Sequence, residues 1–144
     1  MAANYPIHDL FIRPLEAADE PGLRRWLALC ESDQLLRRFG EAEIIRLGPG
    51  ASPGITLRMV ADEAWALLDG SIEAFWQDRR PRSPSRGAHL RQRFEHPVLL
   101  LAPFGVAFGV RALERGALLA RFATHMRRDP ECREDLALPW EDGA

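Results

Sequence analysis

Lysine is absent from this chain of 144 residues, and all 19 of its basic residues are arginine. Acidic residues lie among the arginines along the whole chain and the formal net charge is −2, so no continuous basic surface is expected. Because domains that bind nucleic acids cluster their basic residues on one face, the pattern argues against binding of DNA or RNA. An all-arginine composition is typical of a GC-rich genome or a hot habitat and assigns no function.

Long apolar segments and cysteine patterns are missing as well. The longest apolar run, around Val98 to Ala102, is about five residues, far short of the roughly 20 that a membrane-spanning helix needs. The start, MAANYPIHDL, lacks the basic and then apolar pattern of a signal peptide, so we expect a cytoplasmic protein without membrane contact. No C-x-x-C or Cys/His cluster surrounds Cys30 or Cys132, which argues against a disulfide framework and a zinc motif and predicts two ordinary, partly buried side chains.

What the chain does contain is a series of short apolar runs separated by glycine and proline. Hydrophobic residues make up 47% and charged residues 28% of the chain, which suits one globular domain and leaves no room for a second. The separating segments are RLGPGASPG, LLDGS, RRPRSPSRG, APFG, ERG and RRDP. Punctuation at this spacing predicts many short strands joined by tight turns, as in an all-β sandwich or barrel.

Residues 21–39 are the one segment that suits a helix. Pro21 stands early, Gly40 stands at the end, and the apolar residues between them follow a helical spacing, at positions 23, 26, 27, 29, 35, 36 and 39. These features favour one helix or two short ones. The alternative is an extended chain over residues 26–29 that leads into a turn near Ser32.

Two spacings carry the main argument. The spacing G-x5-H-x-H-x4-E-x6-G is repeated here by Gly50, Thr56, Arg58, Glu63 and Gly70, with both histidines replaced. The spacing G-x5-P-x-G-x2-H-x3-N is repeated in part by Pro97, Pro103, Gly105, Phe108 and Ala112, with Phe in place of the histidine. These are the two motifs of the cupins, so the chain resembles a cupin that lacks the histidine ligands.

Four strings are similar to those of the dTDP-4-dehydrorhamnose 3,5-epimerases and the related sugar-nucleotide ketoisomerases. PGASPGITLR at 49–58 resembles their P-G-x-x-R-G-x-H-Y-Q, and PFGVAFGV at 103–110 resembles P-x-G-x-x-H-G-F. D-x-R-x-x-S-P-T-x-G is matched by Asp78, Arg80, Ser83, Pro84, Ser85 and Gly87. The closing L-P-W-D-D is matched by Leu138, Pro139, Trp140, Glu141 and Asp142.

The resemblance implies an all-β cupin jelly roll of two small facing sheets, formed by residues 46–144, after a helical or extended lead-in over residues 1–45. It also implies a homodimer and a small anionic or sugar-nucleotide ligand. The family's general base falls at Thr56, its lysine at Glu63 and its tyrosine acid near Arg121. A threonine hydroxyl cannot accept a proton at neutral pH without a partner base, so we do not expect the family's own mechanism.

The residues around Arg58 allow two interpretations. Thr56 and Arg58 are two apart on a predicted strand, so both side chains face the barrel interior. A buried arginine needs a partner, which is either Glu63 or the carboxylate or phosphate of a ligand. Phe108 and Trp65 are either packed core residues or a stacking surface for a sugar or base.

We therefore predict a ligand-binding set of Arg58, Thr56, Phe108 and Trp65. The predicted catalytic set is Glu63 with His125 and Arg121, which we expect near the opening of the barrel. No metal and no cofactor is expected, because one retained carboxylate does not replace a three-histidine site. The predicted function is binding of, or metal-independent isomerase or epimerase chemistry on, a small polar metabolite such as a sugar nucleotide. The alternative is a non-catalytic cupin that stabilises a dimer or a larger assembly.

Overall fold

A computed structural model describes residues 5–140 of the chain. The ten strands are β1 Ile12–Pro14, β2 Ala17–Glu20, β3 Leu23–Trp26, β4 Glu41–Leu47, β5 Gly54–Leu57, β6 Glu63–Asp78, β7 His89–Phe94, β8 Val98–Ala102, β9 Val106–Ala123 and β10 Leu136–Leu138. Single turns of 3₁₀ helix lie at Glu31–Asp33 and Pro130–Cys132, and residues 5–140 contain no α-helix. Nothing in this range is a helix long and apolar enough to cross a membrane.

Two long strands, β6 and β9, organise the fold. They pair antiparallel along most of their length. One half of each strand belongs to the first of two sheets and the other half belongs to the second. The first sheet has the order β1-β8-β6-β9-β4 and uses residues 63–67 of β6. The second has the order β7-β6-β9-β5-β10 and uses residues 72–78 of β6. The prediction of an all-β jelly roll of two facing antiparallel sheets is confirmed.

The register of β6 and β9 shifts where the strands pass from one sheet to the other, around residues 67–72. Gly70 lies in this irregularity with φ 91°, a conformation that side chains with a Cβ disfavour. A Cβ there would lie 2.1 Å from the carbonyl oxygen of Gly116 on the neighbouring strand. Gly70, which ends the first cupin spacing, therefore marks the bulge at which both strands bend.

The main core lies between the two sheets. Trp65 and Trp76 come from opposite halves of β6, and both rings pack against Phe108, at centroid distances of 5.5 and 5.3 Å. All three side chains are buried. Most contacts of Phe108 are therefore those of a packed core residue, the first of its two interpretations.

The outer faces of both sheets are partly covered. Residues 64, 66, 99 and 120 of the first sheet pack under the N-terminal segment, which contributes Phe11, Leu15, Leu29, Leu35 and Leu36. On the second sheet, Ile55 and Phe75 are covered by Leu138 and Trp140. β6 and β9 therefore read as nearly continuous apolar strands, because both of their faces are covered.

The helix expected over residues 21–39 is wrong. Pro21 and Gly22 form the turn of a β2–β3 hairpin, in which Gly22 has φ 73°. The chain is extended to Trp26 and turns at Glu31–Asp33, as in the alternative. The helical spacing arose because apolar residues 29, 35 and 36 all cover the first sheet from a chain that contains no α-helix. Within the predicted lead-in, β1 and β4 also add strands to that sheet.

Candidate functional site

A cavity of about 180 Å³ opens between β5 and the paired strands β6 and β9. Its lining residues are Pro53, Gly54, Thr56, Arg58, Glu63, Trp65, Phe108, Gly109, Val110, Arg127, Cys132 and Asp135. All of the predicted ligand-binding residues are among them, together with Glu63 from the predicted catalytic set. The barrel interior is thus neither fully packed nor wide open, and its wall combines an aromatic side with a charged side.

Strand alternation on β5 decides which side chains reach this cavity. Ile55 and Leu57 belong to the apolar cluster on the outer face of the second sheet. Thr56 and, just beyond the strand, Arg58 point the other way and line the cavity. The pairing of β5 with β9 places Thr56 opposite Phe108, so the positions of two missing cupin histidines are neighbours in the structure.

Glu63 is the centre of the charged wall. Its Oε2 accepts hydrogen bonds from Arg58 Nη1 at 2.5 Å and from Arg121 Nη1 at 2.7 Å, and its Oε1 accepts one from Trp65 Nε1 at 2.9 Å. Glu63 and both arginines are at least nine-tenths buried. The predicted ion pair between Arg58 and Glu63 is confirmed, and it extends to a second guanidinium that the sequence did not place there.

The other donors of Arg58 are engaged by the C-terminal segment. Its Nε donates to Asp135 Oδ2 at 2.6 Å and its Nη2 to Cys132 Sγ at 3.3 Å. Burial by itself lowers the pKa of Arg58, but the hydrogen bonds to Cys132, Glu63 and Asp135 and the charge of Glu63 outweigh it and raise the pKa above the usual value. Arg58 therefore stays charged in the cavity wall.

Arg121 lies behind Glu63, outside the cavity lining. Besides Glu63, it bonds Glu43 Oε1 through Nε at 2.7 Å and Glu41 through Nη2. These carboxylates raise the pKa of Arg121 against the opposing effect of its burial. The prediction that Arg121 lines the opening is wrong, because the strand pairing turns its guanidinium toward β4.

Arg127 is the guanidinium at the mouth of the cavity. It is 56% exposed in its side chain, and its Nη2 lies 3.2 Å from Glu43 Oε1. Across the whole network, four carboxylates face three guanidinium groups, an excess of one negative charge; they are Glu41, Glu43, Glu63 and Asp135 against Arg58, Arg121 and Arg127. The positive charge of Arg58 is thus already compensated inside the protein.

His125 does not reach the cavity. It is 2% exposed, its Nδ1 lies 2.8 Å from Thr124 Oγ1, and its Nε2 lies 3.9 Å from Glu131 Oε2. β9 ends at Ala123, so the alternation that would place residue 125 at the barrel mouth stops before it. The prediction that His125 lies at the opening is therefore wrong.

Sequence reasoning missed the contribution of residues 127–135 to the cavity. Cys132 was expected to be an ordinary side chain and is indeed buried, but it faces Arg58. Asp135 also accepts the backbone N–H of Met59 at 2.8 Å. No local signal marks these residues, since their partners are more than 70 positions away in the chain.

The D-x-R-x-x-S-P string forms a separate cluster, here called the Asp78 clamp, of Asp78, Arg80, Ser83 and Ser85. Asp78 is 1% exposed and accepts hydrogen bonds from Arg80 Nε at 3.0 Å, Ser83 Oγ at 2.5 Å and Ser85 Oγ at 2.6 Å. Burial raises the pKa of Asp78, but these hydrogen bonds outweigh it and leave the pKa below the usual value. The string therefore closes the loop between β6 and β7 and adds nothing to the cavity wall.

Comparison with known proteins agrees with this architecture. No family model matches the chain. The spore coat polysaccharide biosynthesis protein SpsL of Bacillus subtilis is 28% identical over 114 residues, which cover 78% of this chain and 76% of that protein.

Solved structures superpose over almost the whole chain. A dTDP sugar isomerase from Desulfovibrio desulfuricans matches with a TM-score of 0.84 at 20% identity and covers 98% of this chain and 90% of its own. The dTDP-4-dehydrorhamnose 3,5-epimerase of Elizabethkingia anophelis gives 0.80 at 16% identity, with coverage of 98% and 81%. A dTDP-6-deoxy-D-glucose-3,5-epimerase from Legionella pneumophila, solved with dTDP-4-keto-L-rhamnose, gives 0.82 at 18% identity, with coverage of 96% and 77%. The jelly roll of this chain is thus the fold of these sugar-nucleotide enzymes, as the sequence motifs predicted.

Proposed function

We propose that this chain is a sugar-nucleotide epimerase or isomerase relative that acts in polysaccharide biosynthesis. Its fold is that of dTDP-sugar isomerases and epimerases, and the relative from Bacillus subtilis carries a polysaccharide biosynthesis name. The alternative, a non-catalytic cupin, finds no support in these likenesses, because the structures named above are enzymes.

The observation that carries the proposal is the two-sided cavity between the sheets. Trp65 and Phe108 offer an apolar surface, while Thr56 and the Glu63 carboxylate offer hydrogen-bonding groups beside it. Sugar rings have apolar faces and hydroxyl edges, so they suit a site with both. A volume of about 180 Å³ is below the roughly 300–1,000 Å³ of pockets that enclose a whole drug-sized ligand, so only the sugar ring enters.

The charges around the cavity also favour entry of the sugar rather than of the diphosphate. Inside the wall, Glu63 and Asp135 already compensate the charge of Arg58, which disfavours a diphosphate in the cavity, whereas the exposed guanidinium of Arg127 lies at its mouth. The sugar then faces Arg58 and the nucleotide remains outside. A charged, oriented guanidinium such as Arg58 is suited to stabilise the enolate oxygen formed when a proton leaves the carbon next to a keto group. The Asp135 carboxylate and the Cys132 thiol are the neighbouring groups that can exchange protons.

The test is binding and proton exchange with a dTDP-4-keto sugar. Calorimetry should show binding of the sugar nucleotide by the parent and weaker binding by Arg58→Lys, which keeps the charge but loses the planar fork. Arg46→Lys, on the exposed face of β4, is the matched control and should bind like the parent. In deuterium oxide, NMR should show exchange of a ring proton next to the keto group. Binding that is equal in all three proteins, or absent from the parent, contradicts the proposal.

We also propose a homodimer, which is supported by uncovered apolar side chains on the first sheet and its lead-in. Leu27, Phe39 and Ile44 are 69%, 68% and 71% exposed. Trp65 and Trp76 are buried within their own chain and add nothing to this surface. Light scattering at micromolar concentration should give twice the chain mass, and Ile44→Glu should lower it. A monomer mass for the parent would refute the dimer.

A further inference from the structure

A histidine and two carboxylates, none of which lines the cavity, meet between the end of β9 and the 3₁₀ turn at Pro130–Cys132. One ligand atom from each of His125, Asp129 and Glu131 lies within 4.8 Å of the other two. We propose that these three residues bind a divalent transition-metal ion such as Zn²⁺. The inference does not depend on the proposed function.

The imidazole of His125 is held with one nitrogen directed at this cluster. The ring is 2% exposed, and its Nδ1 contacts Thr124 Oγ1, which also accepts the Asp62 N–H at 3.0 Å. Nε2 has no hydrogen bond to any residue in the range 5–140, and the nearest carboxylate oxygen, from Glu131, is 3.9 Å away. A ligating histidine whose other nitrogen donates a hydrogen bond is a recurrent arrangement in metal sites.

The two carboxylates can move to meet an ion bound at Nε2. Asp129 Oδ1 accepts the Glu131 N–H at 2.9 Å and so caps the 3₁₀ turn, which leaves its second oxygen available. Glu131 is exposed, and its long side chain can rotate inward. Transition-metal ligands lie about 2.0–2.2 Å from the ion, so the ligand atoms must approach one another from their present separation of up to 4.8 Å.

The donor set indicates which ions fit. One imidazole and two carboxylates suit zinc, nickel, cobalt or ferrous iron better than calcium or magnesium, which take oxygen ligands only. Two negative charges balance the ion, so no charge remains unpaired beside the buried ring. A bound ion would tie the end of β9 to the turn that carries Cys132, next to the cavity wall.

The experiment is calorimetric titration of Zn²⁺ into full-length protein from which metal has been removed by a chelator. The parent should bind one ion per chain. Loss of an outer-shell partner weakens metal binding about tenfold or more. Glu131→Gln and Asp129→Asn each remove a direct ligand, so each should weaken zinc binding by more than about tenfold. Both keep an oxygen, and Asp129→Asn preserves the cap. Glu134→Gln, an exposed neighbour outside the cluster, is the control and should bind like the parent.

A second series separates this site from the thiols. Cys30→Ser and Cys132→Ser should leave zinc binding unchanged, and zinc should raise the melting temperature of the parent but not that of Glu131→Gln. His125→Ala removes a buried side chain and can unfold the protein. Its zinc binding is therefore measured only if circular dichroism shows that the variant is folded. No binding by the parent, binding that Glu131→Gln and Asp129→Asn leave intact, or binding lost in Cys132→Ser overturns the proposal.

Discussion

The Asp78 clamp and the Glu63 network are two buried carboxylate centres of different construction. In the clamp, the Asp78 carboxylate takes all of its side-chain partners from residues 80–85 of one loop. The Glu63 network joins β4, β5, β6, β9 and the C-terminal segment, and one side of it faces a cavity. Asp78 therefore stabilises one loop, whereas Glu63 holds five segments together around the cavity.

The two centres also differ in how far their sequence motifs match the family patterns that they resemble. The D-x-R-x-x-S-P string keeps the residues of the epimerase pattern that it resembles, and in this chain they bond one another and the backbone of His8. At the cupin ligand positions, Thr56, Arg58 and Phe108 replace the histidines, and the cavity remains beside them. The retained string therefore stabilises a loop in this chain, and the altered positions are those that line the cavity.

The largest expected effect is that of Glu63→Gln. The substitution leaves the guanidinium groups of Arg58 and Arg121 facing a neutral amide, and breaking a buried pair costs about 3–5 kcal/mol. Chemical denaturation should show this loss of unfolding free energy, whereas the exposed control Glu114→Gln should change little. If Glu63→Gln unfolds at the denaturant concentration of the parent, the network does not stabilise the barrel.

A smaller loss is expected for Asp78→Asn. The amide keeps one oxygen for the serine hydroxyls and loses the charge-assisted bonds to Arg80, which are worth about 1.5–3 kcal/mol. Affinity for the sugar nucleotide should not change in this variant, but it should fall in Glu63→Gln. A loss of affinity in Asp78→Asn equal to that in Glu63→Gln would break the distinction between the two centres.

The smallest expected effect concerns Asp33, which pairs with Arg13 in the less buried lead-in. The hydrogen bond from Arg13, followed by that from the Cys30 N–H, lowers the pKa of Asp33 to about 2. The unfolded pKa is about 3.9, so this stabilisation is complete above about pH 4 and is lost as the pH falls through about 2. Stability measured from pH 5 to 2 should therefore fall less steeply in Asp33→Asn, which at pH 7 should lose about 1 kcal/mol or less. Parallel curves for the two proteins would contradict this.

Much of the fold was predictable because it depends on local signals. Glycine and proline punctuation indicated the turns, and the cupin spacings indicated the strand that carries Thr56, β5. The lead-in was not predictable, because apolar residues that cover a sheet from an extended chain can repeat at helical spacing. Propensity over residues 21–39 was overridden by packing against the first sheet.

The sequence by itself determined the jelly roll and the inward direction of Thr56 and Arg58, and it offered Glu63 as one of two partners for Arg58, because strand alternation and short separations along the chain decide these. Only the tertiary structure decided that Arg121 is a second partner of Glu63 and that Cys132 and Asp135 bond Arg58 in the cavity wall. It also decided that His125 lies outside the cavity. These positions depend on where a distant segment returns to the barrel and on where β9 ends. Nothing in the neighbouring residues of a chain encodes such a return; it follows from the packing of the whole molecule.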